Sequence, residues 1–306
     1  MSAQIPVEFV NAYRANILWL SQQKVSLLRQ TCRMEPFTGE TLYVERIGAT
    51  DMVEIADRHG DTPQIDTPHS RRRLQTTDYD WADLIDEMDK LKLIADPEST
   101  YVKNAVAAAN RQIDDDIIVA LGGPAYAGKA GGTTVNNYDA GECRLIESDG
   151  SIATAGSDWS NKTETPLTIA KLLTCKQLLD DAEIDEDRQR YFVTNPYNIN
   201  QLLNTTEVKS ADYNTVKALA QGAIDTFMGF KFIKSTRLPA DDTDTGSTKS
   251  YAYAQGAIVL AVNKEPMVSV DRLPTKRYTT QIYVRESIGA TRVEGPAVVG
   301  ILLDTV

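Results

Sequence analysis

A single uninterrupted helical pattern in residues 97–121 constrains the fold of this chain more than any other feature. Asp96 is a favourable N-cap, and Pro97 suits the first helical position because its missing N–H needs no intrahelical partner. The pattern predicts an amphipathic helix about 37 Å long at ~1.5 Å per residue, which Gly122-Gly123-Pro124 then ends. Its apolar positions recur at steps of three and four: Val102, Ala105, Val106, Ala109, Ile113, Ile117 and Leu121.

A predicted hairpin precedes this helix. Residues 40–47 (ETLYVERI) alternate between polar and apolar side chains like a strand, and residues 71–79 (RRRLQTTDY) can return as the partner strand. The polar stretch of residues 48–70 between them contains Gly60, Pro63 and Pro68 and is far too long for a tight turn. Loops of this length are usually functional or disordered. The sequence therefore predicts an extended hairpin that projects from the body of the protein.

The remaining segments mix helices and strands without regular alternation. Helices are predicted over residues 7–30, 81–93 and 214–228, and also from Thr165-Pro166 and from Asn195-Pro196. Strands are predicted at residues 190–194, after Gly229, and in three segments of the last forty residues. Residues 124–165 and 240–249 are predicted to be largely irregular, and residues 254–262 fit either a helix or a strand. The fold class that follows is α+β.

Composition and charge exclude several classes of protein. No apolar run approaches the ~20 residues needed to cross a bilayer, and the N-terminus lacks the basic start and apolar core of a signal peptide. We therefore expect synthesis and folding in the cytoplasm, without a membrane. The formal net charge is −11, and the only basic run is Arg71-Arg72-Arg73. Such a chain is not expected to bind nucleic acid tightly.

Few residues are suited to metal binding, disulfide formation or catalysis. The three cysteines (Cys32, Cys143 and Cys175) lack CxxC spacing and are expected to be reduced and partly buried. The two histidines, His59 and His69, both fall in the predicted hairpin tip among acidic residues, but their spacing matches no standard ligand pattern. A solvated loop is the favoured interpretation for both, and both are also candidates for a contact with another subunit. No metal, cofactor or catalytic set is predicted.

One segment nearly matches a phosphate-binding loop. Residues 123–130 (GPAYAGKA) approach the pattern G-x-x-x-x-G-K-[ST], but Ala130 replaces the hydroxyl residue that would bind magnesium. The order of elements is also reversed, since a helix precedes the loop where a strand should stand. The segment is interpreted as a flexible linker, and a nucleotide-dependent enzyme built on it is kept only as a remote alternative.

The order of these elements resembles the major capsid proteins of tailed bacteriophages with the Hong Kong ninety-seven type fold. The hairpin at residues 40–80 resembles the E-loop of that family, and the helix at 97–121 resembles its spine helix. The segments LTIAKLLTCKQLLDDAEI and RYFVTNPYNINQLLN resemble the start of its A-domain. The most specific likeness is NTVKALAQGAIDTFMGFKFIKSTRLP, and IGATRVEGPAVVGILL resembles the closing strands. The resemblance covers nearly the whole chain.

The resemblance implies a division of the chain into family domains. Residues 1–39 would form an N-terminal arm and residues 40–80 the E-loop. Residues 81–165 would form the P-domain with the spine helix, residues 166–262 the A-domain, and residues 263–306 the strands that return to both. A long polar hairpin costs about 1–2 kcal/mol of conformational entropy per fixed residue. That cost becomes reasonable if the hairpin packs on a neighbouring subunit.

The resemblance also implies a function without catalysis. The chain would self-assemble as hexamers and pentamers into an icosahedral shell around double-stranded DNA, in a virion assembled in the bacterial cytoplasm. A separate scaffolding protein, a portal and a decoration protein are the other expected partners. An encapsulin-like nanocompartment shell, which shares the fold, is the alternative. Some relatives join an E-loop lysine to a neighbour's asparagine, but this chain has no lysine between Lys24 and Lys90. No such crosslink is expected.

An intersubunit ion cluster is a further hypothesis from the sequence. Arg71, Arg72 and Arg73 lie at the base of the predicted hairpin, whereas Asp114, Asp115 and Asp116 lie on the spine helix. In the family the E-loop lies over the P-domain of a neighbour, so the two triplets could meet between copies. Two separately solvated charged faces are the alternative, and partly exposed pairs contribute only ~0–1 kcal/mol each.

Overall fold

A computed structural model describes residues 21–55, 58, 60–85, 98–135, 144–146, 152, 165–204, 226–239 and 247–304. The chain divides into two compact units. The first consists of Met1–Ser26, Thr77–Ile113 and Asn263–Ile288, and the second of Leu27–Thr76, Asp114–Val262 and Gly289–Val306. No helix in the described ranges is long and apolar enough to cross a membrane.

The long helix, α1, runs over Glu98–Gly122 and confirms the strongest prediction from the sequence. Its end is fixed by close packing: a Cβ on Gly122 would collide with the hydroxyl of Tyr251, and Gly123 N–H closes the last turn by donating to the Val119 carbonyl. Buried Arg292 donates from Nη1 to the carbonyls of Leu121 and Gly123, at 3.4 and 3.1 Å. A cation at this position also suits the negative end of the helix dipole.

The largest sheet belongs to the second unit. Its order is β7-β14-β11-β8-β10-β9, with bounds Arg144–Ile146, Val298–Asp304, Ser247–Ala254, Arg190–Thr194, Phe230–Lys234 and Thr226–Phe227 in that order. Helix α2 (Ile169–Asp181) and helix α3 (Pro196–Asn204) contribute to the same apolar core as this sheet. That core includes Leu172, Leu178, Phe192, Ile199, Phe230, Ala252, Val299 and Ile301. Thr168 caps α2 by accepting the N–H of Lys171.

Two four-stranded sheets complete the fold. One has the order β1-β12-β13-β4, with bounds Arg33–Pro36, Ile258–Leu273, Thr279–Arg292 and Thr77–Ile85. The other has the order β2-β3-β5-β6, with bounds Thr41–Ile47, His69–Gln75, Ala125–Ala127 and Thr133–Val135. In the first unit, Ala105 and Ala109 of α1 pack with Val284 of β13, and Trp81 and Val268 cover them.

The helix predicted over residues 81–93 is wrong for residues 81–85, which are the part of that range that the structure describes. Residues 81–85 belong to strand β4, which pairs antiparallel with β13 from Thr77 opposite Ile288 to Ile85 opposite Thr280. Tyr79 and Trp81 alternate with exposed Asp78, Asp80 and Ala82, which is the period of a strand. The prediction failed because Leu84, read as part of a helical apolar face, is exposed on the solvent side of the strand.

The predicted helix over residues 7–30 is wrong at its C-terminal end, and residues 7–20 lie outside the described part. Residues 21–28 have no regular structure, and a single 3₁₀ turn follows at Arg29–Thr31. Polar groups of α1 bind this segment instead: Asn110 donates to the Lys24 carbonyl, and Arg111 donates to Gln22 Oε1 and to the Gln23 carbonyl. These bonds to a second element replace the bonds of a local helix.

The remaining differences concern short segments. Residues 226–227 form strand β9 rather than the end of a helix over 214–228, whose first part lies outside the described residues. Met228 and Gly229 both have positive φ and form the two-residue turn to β10. Residues 247–249 are strand rather than loop, and the ambiguous segment 254–262 is strand around a turn at Gly256. The short strands expected within residues 124–165 are β5, β6 and β7.

Candidate functional site

The predicted hairpin is present and its tip is exposed. Strands β2 and β3 pair antiparallel from Thr41 opposite Gln75 to Ile47 opposite His69, and Gly48 N–H donates to the Pro68 carbonyl just beyond them. Every described residue between 48 and 68 is exposed to solvent. This surface is not uniformly polar. Its large apolar side chains are Met52, Val53, Ile55 and Ile65, and Met52 is 98% exposed.

The apolar tip was not predicted from the sequence, where residues 48–70 were interpreted as polar throughout. The signal is the stretch MVEI within residues 52–55, where three apolar side chains surround a single acid. Scattered exposed apolar residues are normal on a protein surface. Three within four exposed residues, beyond the paired strands of the hairpin, form a local patch, and such patches mark interaction sites.

The three arginines at the hairpin base have different environments. Arg71 pairs with Glu45 on the adjacent strand at 2.9 Å, and both side chains are exposed. Arg72 points the other way and is only 1% exposed. Arg73 stacks its guanidinium over the ring of Tyr126, 5.1 Å from the centroid. Of the three, Arg71 is therefore the side chain best placed to meet a neighbouring molecule.

The aspartates on α1 have partners within the chain. Asp114 is only 2% exposed, and its two carboxylate oxygens accept the backbone N–H groups of Leu27 and Leu28 at 3.0 and 3.1 Å. These N–H groups precede the 3₁₀ turn, so Asp114 acts as a cap supplied by another element. Asp115 binds Nε and Nη2 of Arg237 in a bidentate pair. The hydrogen bond to Asp115 raises the pKa of Arg237.

Asp114 and Asp115 bind groups outside the arginine triplet, namely the backbone N–H groups of Leu27 and Leu28 and the guanidinium of Arg237. Buried Arg72, buried Asp114 and paired Asp115 each have a structural environment of their own. Asp116 is half-buried and also has a partner. Contact between Arg71 of one copy and the aspartates of another stays a prediction.

The other candidate residues give no sign of a ligand site. His69 is exposed at the start of β3, whereas His59 lies outside the described residues. In the described part of the chain, no cluster of three or more His, Cys, Asp or Glu side chains is arranged to hold a metal ion. Residues 123–130, which resemble a phosphate-binding loop, contain strand β5 and are therefore not wholly the linker that was predicted. The turn from β5 to β6 follows, with Gly128 and Gly131 both at positive φ. A strand follows it instead of the helix that would receive a phosphate.

Comparison with known proteins decides the family. Residues 5–305 match the family described as phage capsid protein. The chain belongs to that family. A shell subunit is the role that the resemblance to capsid proteins implied. The α+β capsid fold predicted from the sequence is confirmed. No curated protein matches the sequence.

Solved capsid structures share the fold of this phage capsid protein. The capsid of Cyanophage P-SCSP1u superposes with a TM-score of 0.73 at 12% identity, covering 98% of this chain and 94% of that one. The capsid of Ralstonia phage GP4 gives 0.71 at 8% identity, with coverages of 97% and 95%. The head of Helicobacter pylori bacteriophage KHP40 gives 0.67 at 10% identity, with coverages of 97% and 95%. The fold is thus shared along essentially the whole chain at very low identity.

Proposed function

We propose that this capsid protein assembles as hexamers and pentamers into an icosahedral head that encloses double-stranded DNA, with no catalytic activity and no cofactor. The observation that carries the proposal is the hairpin β2–β3, whose described tip residues are exposed throughout and include an apolar patch. The strands of the hairpin pack Val44 and Leu74 against Val259 and Ala261 of their own subunit, whereas the exposed tip gains little from that subunit. The tip gains burial when a second copy covers it.

Ordering the tip costs conformational entropy, and burial of its apolar side chains offsets part of that cost. Fixing each backbone residue of the tip costs about 1–2 kcal/mol, whereas burying a Val, Ile or Met side chain returns about 1.5–3 kcal/mol. Met52, Val53 and Ile55 together return about 5–9 kcal/mol. This is comparable with the cost of about 4–8 kcal/mol for fixing residues 52–55, provided that a neighbour supplies the other surface. We propose that residues 40–80 are the E-loop and that this tip is its contact with the adjacent subunit.

The negative net charge of the chain suits a shell protein that encloses DNA. The net charge of −11 gives each copy an acidic surface that does not hold DNA tightly. Such a shell can enclose a polyanion while leaving it free to move. We propose that the particle is built in the bacterial cytoplasm and that a scaffolding protein, a portal and a decoration protein act with it.

The test is assembly of the expressed chain, alone and together with its neighbouring genes, observed by negative-stain electron microscopy. Rings or closed shells are expected. A double variant, Met52→Ser with Ile55→Ser, should assemble at least tenfold less well because the tip loses its apolar contact. The matched control, Asp51→Asn with Glu54→Gln, changes the same tip without touching the apolar side chains and should assemble normally.

Two results would contradict the proposal. One is a soluble monomer under every condition, including coexpression with the neighbouring genes. The other is equal assembly of the serine variant and the control. Shells loaded with a protein cargo instead of DNA would favour the nanocompartment alternative.

A further inference from the structure

Three buried polar side chains form a chain of hydrogen bonds where strand β8 ends. Thr194 Oγ1 lies 2.9 Å from Ser250 Oγ on the neighbouring strand β11. Asn198, in the first turn of α3, donates from Nδ2 to Thr194 Oγ1 at 3.1 Å. All three residues are fully buried. The cluster therefore ties a helix to two strands in a place that solvent does not reach from outside.

Counting protons and lone pairs shows that these hydrogen bonds do not satisfy every polar group in the cluster. Thr194 and Ser250 have one hydroxyl proton each, but the bond between them uses only one of the two. The second proton must point to another acceptor. At the other end, Asn198 Oδ1 is buried and receives no hydrogen bond from any described residue. The three side chains thus leave both a donor and an acceptor open.

Strand β11 and helix α3 carry two more buried oxygens without a hydrogen-bond partner among the described residues. Thr248 precedes Ser250 by two residues on β11, so both side chains lie on one face of the strand. Gln201 follows Asn198 by three residues on α3, so the two share one side of the helix. Thr248 Oγ1 and Gln201 Oε1 are buried and have no hydrogen-bond partner among the described residues.

We propose that this niche is a site for internal water, bound between Asn198 Oδ1 and Thr248 Oγ1. A buried water typically makes about three hydrogen bonds to polar groups that would otherwise be unsatisfied. Water can donate to Asn198 Oδ1 and accept from a hydroxyl, which is the combination that the cluster lacks. A metal cation fits less well, because a buried charge needs compensation. The five side chains of the niche are all neutral: Thr194, Ser250, Asn198, Thr248 and Gln201.

A substitution that preserves shape distinguishes a hydrated niche from a dry one. Thr248→Val removes the hydroxyl at nearly constant volume. If water binds this hydroxyl, the variant loses a partner of that water, and the equilibrium constant for folding should fall about fivefold or more. If the niche is dry, the variant removes an unsatisfied polar group, so stability should stay equal or rise. Urea unfolding of the soluble subunit measures the difference, and an equal or higher stability would overturn the proposal.

A control variant and a reconstruction that shows solvent complete the test. Thr194→Val breaks both bonds of the chain and should be destabilised in either case, which shows that the assay detects a lost hydrogen bond. A reconstruction of the particle at a resolution that shows solvent should contain a density peak within hydrogen-bond distance of Asn198 Oδ1. An empty void there, or a protein donor filling it, would contradict the proposal. An unfolding midpoint that depends on whether the buffer contains sodium or potassium would indicate a cation and would also overturn it.

Discussion

Gly289 passes so close to Gln75 that a Cβ on the glycine would lie 2.4 Å from the Gln75 carbonyl oxygen and 3.1 Å from the α-carbon of Thr76. The contact joins strand β13 to the point where β3 ends and β4 begins. It occurs within the second unit, because Leu27–Thr76 and Gly289–Val306 both belong to it. No larger residue fits unless one of the two backbones moves.

Gly289→Ala should therefore destabilise the protein by about 1–3 kcal/mol or more, since forced overpacking costs that much. Gly132→Ala is the matched control, because nothing lies within 4 Å of its Cβ position. Urea unfolding of both variants measures the effect. Equal stability of the two variants would show that the contact at Gln75 is looser than described.

Asp114→Asn should destabilise the second unit by about 1–3 kcal/mol, because one of the two N–H groups of Leu27 and Leu28 loses its acceptor and instead faces an amide donor. Exposed Asp181→Asn should have almost no effect. The measurement is the free energy of unfolding of each variant. Protease cleavage near residue 27 should also accelerate in Asp114→Asn, and unchanged protection would contradict the capping role.

Cys32 and Cys175 should be inert in the folded protein. Burial raises the pKa of the Cys32 thiol to about 12, and burial also raises the pKa of the Cys175 thiol far above its ordinary value. The reactive thiolate is consequently almost absent at pH 8. Alkylation followed by peptide mass spectrometry should find neither residue modified until urea unfolds the chain. Rapid modification of either thiol in intact particles would disagree with the packing.

Mature particles should contain no crosslink from a lysine of the hairpin. Residues 25–89 contain no lysine, so the E-loop lacks the amine that an isopeptide bond requires. Denaturing gels should show a monomer band near 33.8 kDa. A ladder of heavier bands would refute the prediction.

Arg71→Glu should reduce assembly if this arginine meets aspartates of a neighbour, and Asp116→Lys should then restore it. Arg71 is the informative position, because a charge reversal at buried Arg72 would damage folding as well. Circular dichroism should show that the Arg71→Glu subunit is folded, and electron microscopy counts its particles. Unaltered assembly of the single variant would end the hypothesis.

Local signals in the sequence predicted most elements. The Asp96-Pro97 signal predicted α1 and the period-two pattern predicted β2 and β3. Gly229 was predicted to end a helix and instead lies in the turn between β9 and β10. These elements carry their own start, stop or turn chemistry. The resemblance to capsid proteins then supplied the order in which they pack.

The sequence could not show which polar groups bond across the fold. Asp114, Asp115 and Asp116 form one acidic cluster in the sequence, yet Asp114 caps backbone from residues 27–28 and Asp115 pairs with Arg237, 122 positions away. Likewise Arg72 differs from its two neighbours only in the strand face that it occupies. Partners so far apart in the sequence are determined by tertiary packing, which a local sequence pattern does not indicate.

We propose that another copy of the chain covers the hairpin tip, and a reconstruction of assembled particles would show whether it does. We predict that Met52, Val53 and Ile55 are buried against an adjacent subunit in the closed shell. Particles in which these side chains stay in solvent, or lie against their own subunit, would contradict this prediction.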